Sequence, residues 1–172
     1  NPKAPNDTDC PPYFFNGGFE PRYPLYRVYA DYTSRLSLLL SSGRHVCPVA
    51  VLFAGNLQRV GTMTTPEDIT SSLQDALFDC DWVPYDAFQD ETQISGRQLR
   101  LHQERYRILI LPAAEVVPFG VLAKAQAFYQ SGGVVVAYGM LPSRSATLGK
   151  NRTEIGRLCR GIFGDVQQPG LT

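Results

Sequence analysis

Val46-Cys47-Pro48-Val49-Ala50-Val51-Leu52-Phe53-Ala54 is an apolar run with almost no polar alternation. A strand with one wet face alternates apolar and polar side chains, so a run without alternation marks a strand covered on both faces, as in a parallel sheet. Gly55-Asn56 ends it. Tyr106-Arg107-Ile108-Leu109-Ile110-Leu111 has the same character and is stopped by Pro112. Val134-Val135-Val136-Ala137-Tyr138, after Gly132-Gly133, is a third such strand, and Trp82-Val83-Pro84-Tyr85 is a shorter one.

Helical spacing fills the gaps between these runs. Tyr26, Tyr29, Leu36, Leu39 and Leu40 return at three- and four-residue steps until Gly43, which predicts a long amphipathic helix with a glycine stop. Thr65 followed by Pro66-Glu67-Asp68 has the form of a helix start: a capping hydroxyl, proline in the first turn and acids at the positive dipole end. Ile69, Leu73, Ala76 and Leu77 form its buried stripe. Pro118 to Gln130 and Ile155 to Phe163 carry two further helices, the last ending at Gly164. Asp86 to Gly96 reads as a long polar loop, Gln98 to His102 as a minor strand and Ser143 to Lys150 as a loop. Buried strands alternating with helices imply βαβ crossovers and a layered α/β fold.

The composition bounds what such a domain does. A chain of 172 residues corresponds to one domain and a modest tail, and 44% hydrophobic with 11% aromatic residues excludes disorder and coiled coil. Sixteen Lys and Arg balance sixteen Asp and Glu, so the net positive field of a nucleic-acid binder is missing. No apolar run approaches the roughly 20 residues that span a bilayer. Residues 1–24 combine many prolines with Tyr13, Phe14, Phe15, Phe19 and Tyr23, and read as an inter-domain linker or an arm that packs on a neighbouring domain or a second copy. Residues 25–165 form the expected α/β domain, and residues 166–172 a tail. The start at Asn1-Pro2-Lys3 has neither an initiator Met nor a basic-then-apolar leader, the expectation being a chain cut from a longer one.

Candidate chemistry is sparse. Cys10, Cys47, Cys80 and Cys159 stand singly, unlike the close pairs of zinc sites, and no metal site is expected. Cys47 and Cys159 read as core residues. The dinucleotide fingerprint, the full phosphate loop and the Gly-x-Ser-x-Gly elbow do not occur, so no cofactor and no serine hydrolase are expected. His45 and His102 read as structural or solvated, and Asp79-Cys80-Asp81 as a capped, solvated turn. Open parallel sheets bind ligands beyond the carboxyl ends of their strands, which selects Gly55, Asn56, Asp86, Glu115, Tyr138 and Gly139. Asp86 and Glu115 would serve as a glycosidase pair only if held about 5–10 Å apart; Asn56, Asp86, Glu115 and Tyr138 would equally suit a module that holds sugar hydroxyls.

In the order Arg35-Leu36-Ser37-Leu38-Leu39-Leu40-Ser41-Ser42-Gly43, Val49 to Phe53, Tyr106 to Pro112 and Gly132 to Val136, the chain resembles the class I glutamine amidotransferase-like domain of large bacterial glycoside hydrolases. That group includes α-L-rhamnosidase-like enzymes and the middle domain of some β-galactosidases, and the resemblance covers about residues 25–142. It implies a three-layer flavodoxin-like domain with a parallel sheet in the order 2-1-3-4, following a catalytic TIM barrel against which the arm Cys10 to Tyr23 packs. True amidotransferases of this fold place a nucleophilic Cys in the tight turn after the strand that here is Val134 to Tyr138. This chain has Gly139-Met140-Leu141-Pro142 there, so the glutaminase reaction has no attacking thiolate. The resemblance therefore implies a non-catalytic accessory domain whose parent enzyme carries the hydrolytic acids elsewhere.

Overall fold

The computed structural model describes residues 23–57 and 60–166, in two compact units, the first ending at Arg44 and the second beginning at His45. In the first unit a short 3₁₀ turn, Tyr23–Leu25, leads into α1 (Tyr26–Ser41). The helix predicted from the spacing forms, and its hydroxyls bond back to its own carbonyls, as Thr33 does to Tyr29. None of its residues is buried, and Leu38 and Leu39 are 75% and 79% exposed. The aromatic arm before Tyr23 and residues 167–172 of the tail lie outside the described residues.

The second unit holds β1 (Val49–Phe53), α2 (Pro66–Asp75), β2 (Asp81–Pro84), β3 (Gln93–Ser95), β4 (Gln98–Leu101), β5 (Glu104–Tyr106), β6 (Ile108–Leu111), β7 (Val116–Val117), α3 (Phe119–Gln130), β8 (Val134–Ala137), β9 (Arg144–Ser145) and α4 (Arg152–Phe163). Its central sheet is parallel throughout, in the order β2-β1-β6-β8. Side chains alternate across a sheet, and each face has its own cluster. Ala50, Leu52, Val83, Leu109 and Leu111 pack with Val121, Leu122, Ala125 and Phe128 of α3 and Ile155 and Leu158 of α4. Val49, Val51 and Ile110 pack with Ile69 and Leu73 of α2.

The apolar run at β1 is thus covered on both sides, as its lack of alternation requires. The run at β8 is not. Val134 and Val136 pair with Ile108 and Ile110 in register, which sets them on the α2 face, yet they are 51% and 41% exposed. β8 is an edge strand, and α2 packs on the β1 side of that face.

Two expectations are corrected. The stretch 86–96 is not a loop: Ala87–Glu91 forms a π-helical turn and Gln93–Ser95 is β3. β3, β4 and β5 make a separate antiparallel sheet, whose first turn uses Gly96 at φ +55°, a conformation that glycine adopts without the Cβ clash. The run Tyr106 to Leu111 is likewise two strands in two sheets. It bends at Arg107, where the N–H groups of both Arg107 and Ile108 donate to the Pro48 carbonyl. An apolar run reports burial and not which neighbour it pairs with, so neither feature was visible in the pattern.

The helix starts differ from expectation in one respect. Thr65 stands at the N-cap of α2 in extended conformation, but its hydroxyl donates to the Asp68 carboxylate and not to the helix backbone. The complete capping box belongs to α4: Asn151 Oδ1 accepts from Glu154 N at 3.0 Å, and Glu154 Oε2 accepts from Asn151 N at 3.0 Å. That backbone bond, with Lys150 beside it, holds the Glu154 carboxyl below its ordinary range. Asn151→Ala is expected to cost about 1 kcal/mol in urea denaturation. Because the Glu154 pKa is depressed, its share of the box is present above the unfolded carboxyl value and fades as pH falls through the lowered one. An unchanged unfolding midpoint would show that the box adds nothing to α4. Among the described residues no helix is long and apolar enough to cross a membrane.

Candidate functional site: a cleft at the strand carboxyl ends

A cleft of about 570 Å³ opens where β1 and β2 end, lined among others by Phe53, Tyr85, Asp86, Gln89, Asp90 and Thr147. Parallel strands end together here, and chain reversal into the following segments leaves a concave edge. Burial pushes the Tyr85 phenol up to about 12, so it stays a neutral hydroxyl. Phe53 stacks on Trp82 with ring centroids 6.0 Å apart. Apolar ring faces beside carboxylate, amide and hydroxyl groups suit a polyhydroxylated small molecule.

The rim of this cleft is fastened to α3. Lys124 Nζ donates to the Gln89 carbonyl at 2.7 Å and to the Thr92 carbonyl, closing the end of the π-helical turn. Burial lowers the lysine's pKa. A Cβ at Gly120 would meet the Gln89 amide, so helix and turn approach at glycine distance. Lys124→Met removes a charged donor from two carbonyls and is expected to cost about 1.5–3 kcal/mol. Urea denaturation gives the cost, and hydrogen exchange at residues 87–92 should quicken; a variant as stable and as protected as the parent would contradict the clasp.

The four residues selected from the sequence do not all meet. Asp86 lines the cleft, and its Oδ1 accepts from Ala87 N at 2.9 Å, capping the π-helical turn. Asn56 sits in the 3₁₀ turn Gly55–Leu57, whose Gly55 and Leu57 also line the cleft. Glu115 and Tyr138 are not among the lining residues. Glu115 pairs with Arg144 Nε at 3.1 Å and accepts from Thr62 N at 3.2 Å; it joins the start of β9 to the 61–62 turn. Tyr138 is 44% exposed and extends β8, its N–H donating to the Leu111 carbonyl.

The bend after β8 is sharp, with Gly139 at φ +79° and Met140 N donating to the Tyr138 carbonyl. No sulfur nucleophile occupies it. Cys47 and Cys159 are buried, as expected from the sequence, and burial pushes both thiols up to about 11, which disfavours the reactive thiolate.

A second group of polar residues gathers at the amino ends of the strands. His45 Nε2 lies 3.3 Å from Asp79 Oδ2, and its Nδ1 lies 3.3 Å from Glu104 Oε2 and 3.9 Å from Asp81 Oδ2. The hydrogen bond to Asp79, against some loss from burial, and the charges of Asp81 and Glu104 raise the imidazole pKa. The buried Tyr106 hydroxyl donates to Asp81 at 2.9 Å, and burial followed by that bond raises its pKa. Sequence reasoning missed this group because 45, 79, 81 and 104 form no motif; pairing of β2 with β1 and the β4–β5 hairpin bring them together. His102, by contrast, is exposed and pairs with Glu91 at 3.1 Å.

A family model described as alpha-L-rhamnosidase, glycoside hydrolase 106, matches residues 23–170. Among solved structures, a rhamnosidase from Novosphingobium sp. PP1Y aligns at TM-score 0.53 and 21% identity, over 79% of this chain and 13% of that one. A beta-galactosidase from Bifidobacterium adolescentis aligns at TM-score 0.47 and 14% identity, over 66% of this chain and 53% of that one. The first shows a shared fold. The chain thus spans 13% of the length of the rhamnosidase it resembles. No curated protein matches it.

Proposed function

The chain belongs to the alpha-L-rhamnosidase family of glycoside hydrolases, and from that premise we propose that it is a non-catalytic accessory domain of a larger carbohydrate-degrading enzyme. In this reading the unit is amidotransferase-like and flavodoxin-like in architecture. It follows a catalytic TIM barrel of the same polypeptide, and serves as scaffold or subunit contact beside it. The observation that carries the reading is the employment of the strand-end acids: Asp86 caps a turn and Glu115 is held by Arg144 and Thr62 N. A glycosidase pair needs one carboxyl free to donate a proton and another free to attack or to activate water. The bend after β8, with Gly139 and Met140 in the nucleophile's position, supports the absence of glutaminase chemistry.

The test is direct. Purified chain is incubated with an aryl α-L-rhamnoside and, separately, with glutamine; neither sugar nor ammonia is expected to be released. Rhamnoside turnover that disappears in Glu115→Gln, or ammonia release above a boiled control, would end the accessory reading.

A second reading rests on the cleft itself, whose rings, acids and Thr147 hydroxyl would hold a monosaccharide. At a hundred times its Kd, a bound sugar stabilises the fold by about 2.7 kcal/mol, visible as a thermal shift. A shift with one of a panel of monosaccharides that is lost in Asp86→Ala would support binding; no shift at any sugar would leave the scaffold reading alone.

A further inference from the structure

At the amino ends of the central strands, we propose a structural site for a first-row divalent cation, of which zinc is the type, held by His45, Asp81 and Glu104. One donor atom from each lies within 4.8 Å of the others, with His45 Nδ1 facing both carboxylates. First-row cations hold nitrogen and oxygen donors about 2.0–2.2 Å away, so a shared ion draws its ligands to roughly 3–4 Å from one another. Small side-chain rotations achieve this.

The three ligands come from three separately fixed places. His45 precedes β1, Asp81 opens β2 opposite Ala50, and Glu104 opens β5 opposite Leu101. The surroundings are those of a metal-binding imidazole, whose second ring nitrogen turns its N–H to a carboxylate: here Nε2 faces Asp79 at 3.3 Å. Tyr106, only 2% exposed, orients Asp81 through its hydroxyl.

Charge gives an independent reason. Three carboxylates surround one imidazole. A dication neutralises that surplus, and takes the place of the Nδ1 proton, which leaves to solvent. One nitrogen and two oxygens suit zinc or a neighbouring ion; calcium would require six to eight oxygens. Water completes the coordination, and the ion ties the segment before β1 to β2 and to the hairpin.

The chain contains two histidines, which makes the test specific. Metal-stripped, ¹⁵N-labelled full chain is titrated with zinc chloride while imidazole signals and the melting temperature are followed. The His45 ring should shift and saturate at one zinc per chain, the His102 ring should stay in place, and the melting temperature should rise. Glu104→Gln should weaken binding by about tenfold or more, whereas Glu67→Gln, on α2, should not. Should Glu104→Gln fail to fold, Asp79→Asn reads the same site through its hold on Nε2, again with about a tenfold loss. The proposal falls if no saturable His45 shift occurs up to millimolar zinc, if both rings shift alike, or if the ligand variants bind zinc as the parent does.

Discussion

Phe128→Ala is expected to lower the unfolding free energy by about 3–5 kcal/mol. Phe128 is fully buried in the α3 face of the sheet, in the cluster that joins β1, β6, α3 and α4. Its ring also lies against the backbone at Gly133, where a Cβ would come 2.2 Å from two ring carbons. Alanine would leave a void lined by side chains that α3, the sheet and α4 hold in place, so little collapse is available to relieve it. Urea denaturation with an unchanged slope measures the loss; a cost below about 1 kcal/mol would show that this face does not close around the ring.

Gly133→Ala is the second, expected to cost about 1–3 kcal/mol by overpacking. Gly133 is buried, and its N–H donates to the Phe128 carbonyl as α3 ends and β8 begins. The added methyl has no room while the ring is present. In the Phe128→Ala background that room exists, so the second substitution should cost less by about 1 kcal/mol or more. Strict additivity in the double variant would place the origin of the Gly133 requirement in the backbone and not in the ring.

Gly132-Gly133 illustrates what was legible. The pair reads in sequence as a helix stop before a strand, and it is one. The need for a missing side chain at the second glycine comes from a ring five residues earlier that turns back onto it. The candidate site divides in the same way. Strand carboxyl ends were identified from the ends of apolar runs, and Asp86 does line a cleft there. Glu115, chosen by the same rule, is instead bound to Arg144, a residue whose approach depends on the pairing of β7 with β9. That pairing involves two residues on each strand, too few to leave any periodic mark.

The sequence by itself determined that buried parallel strands alternate with helices, because burial on two faces removes polar residues locally and repeatedly. It also determined that the bend after β8 lacks a thiol, since identity at a position needs no folding to read. The tertiary structure alone decided that Tyr106 and Ile108 belong to different sheets, that β8 keeps one face open, and that His45, Asp81 and Glu104 meet. Those outcomes depend on which strand pairs with which and in what register, and hydrogen bonds between distant segments are made by backbone groups that every residue shares. Side-chain pattern records how much of each residue is covered; partner choice is settled only when the whole sheet assembles.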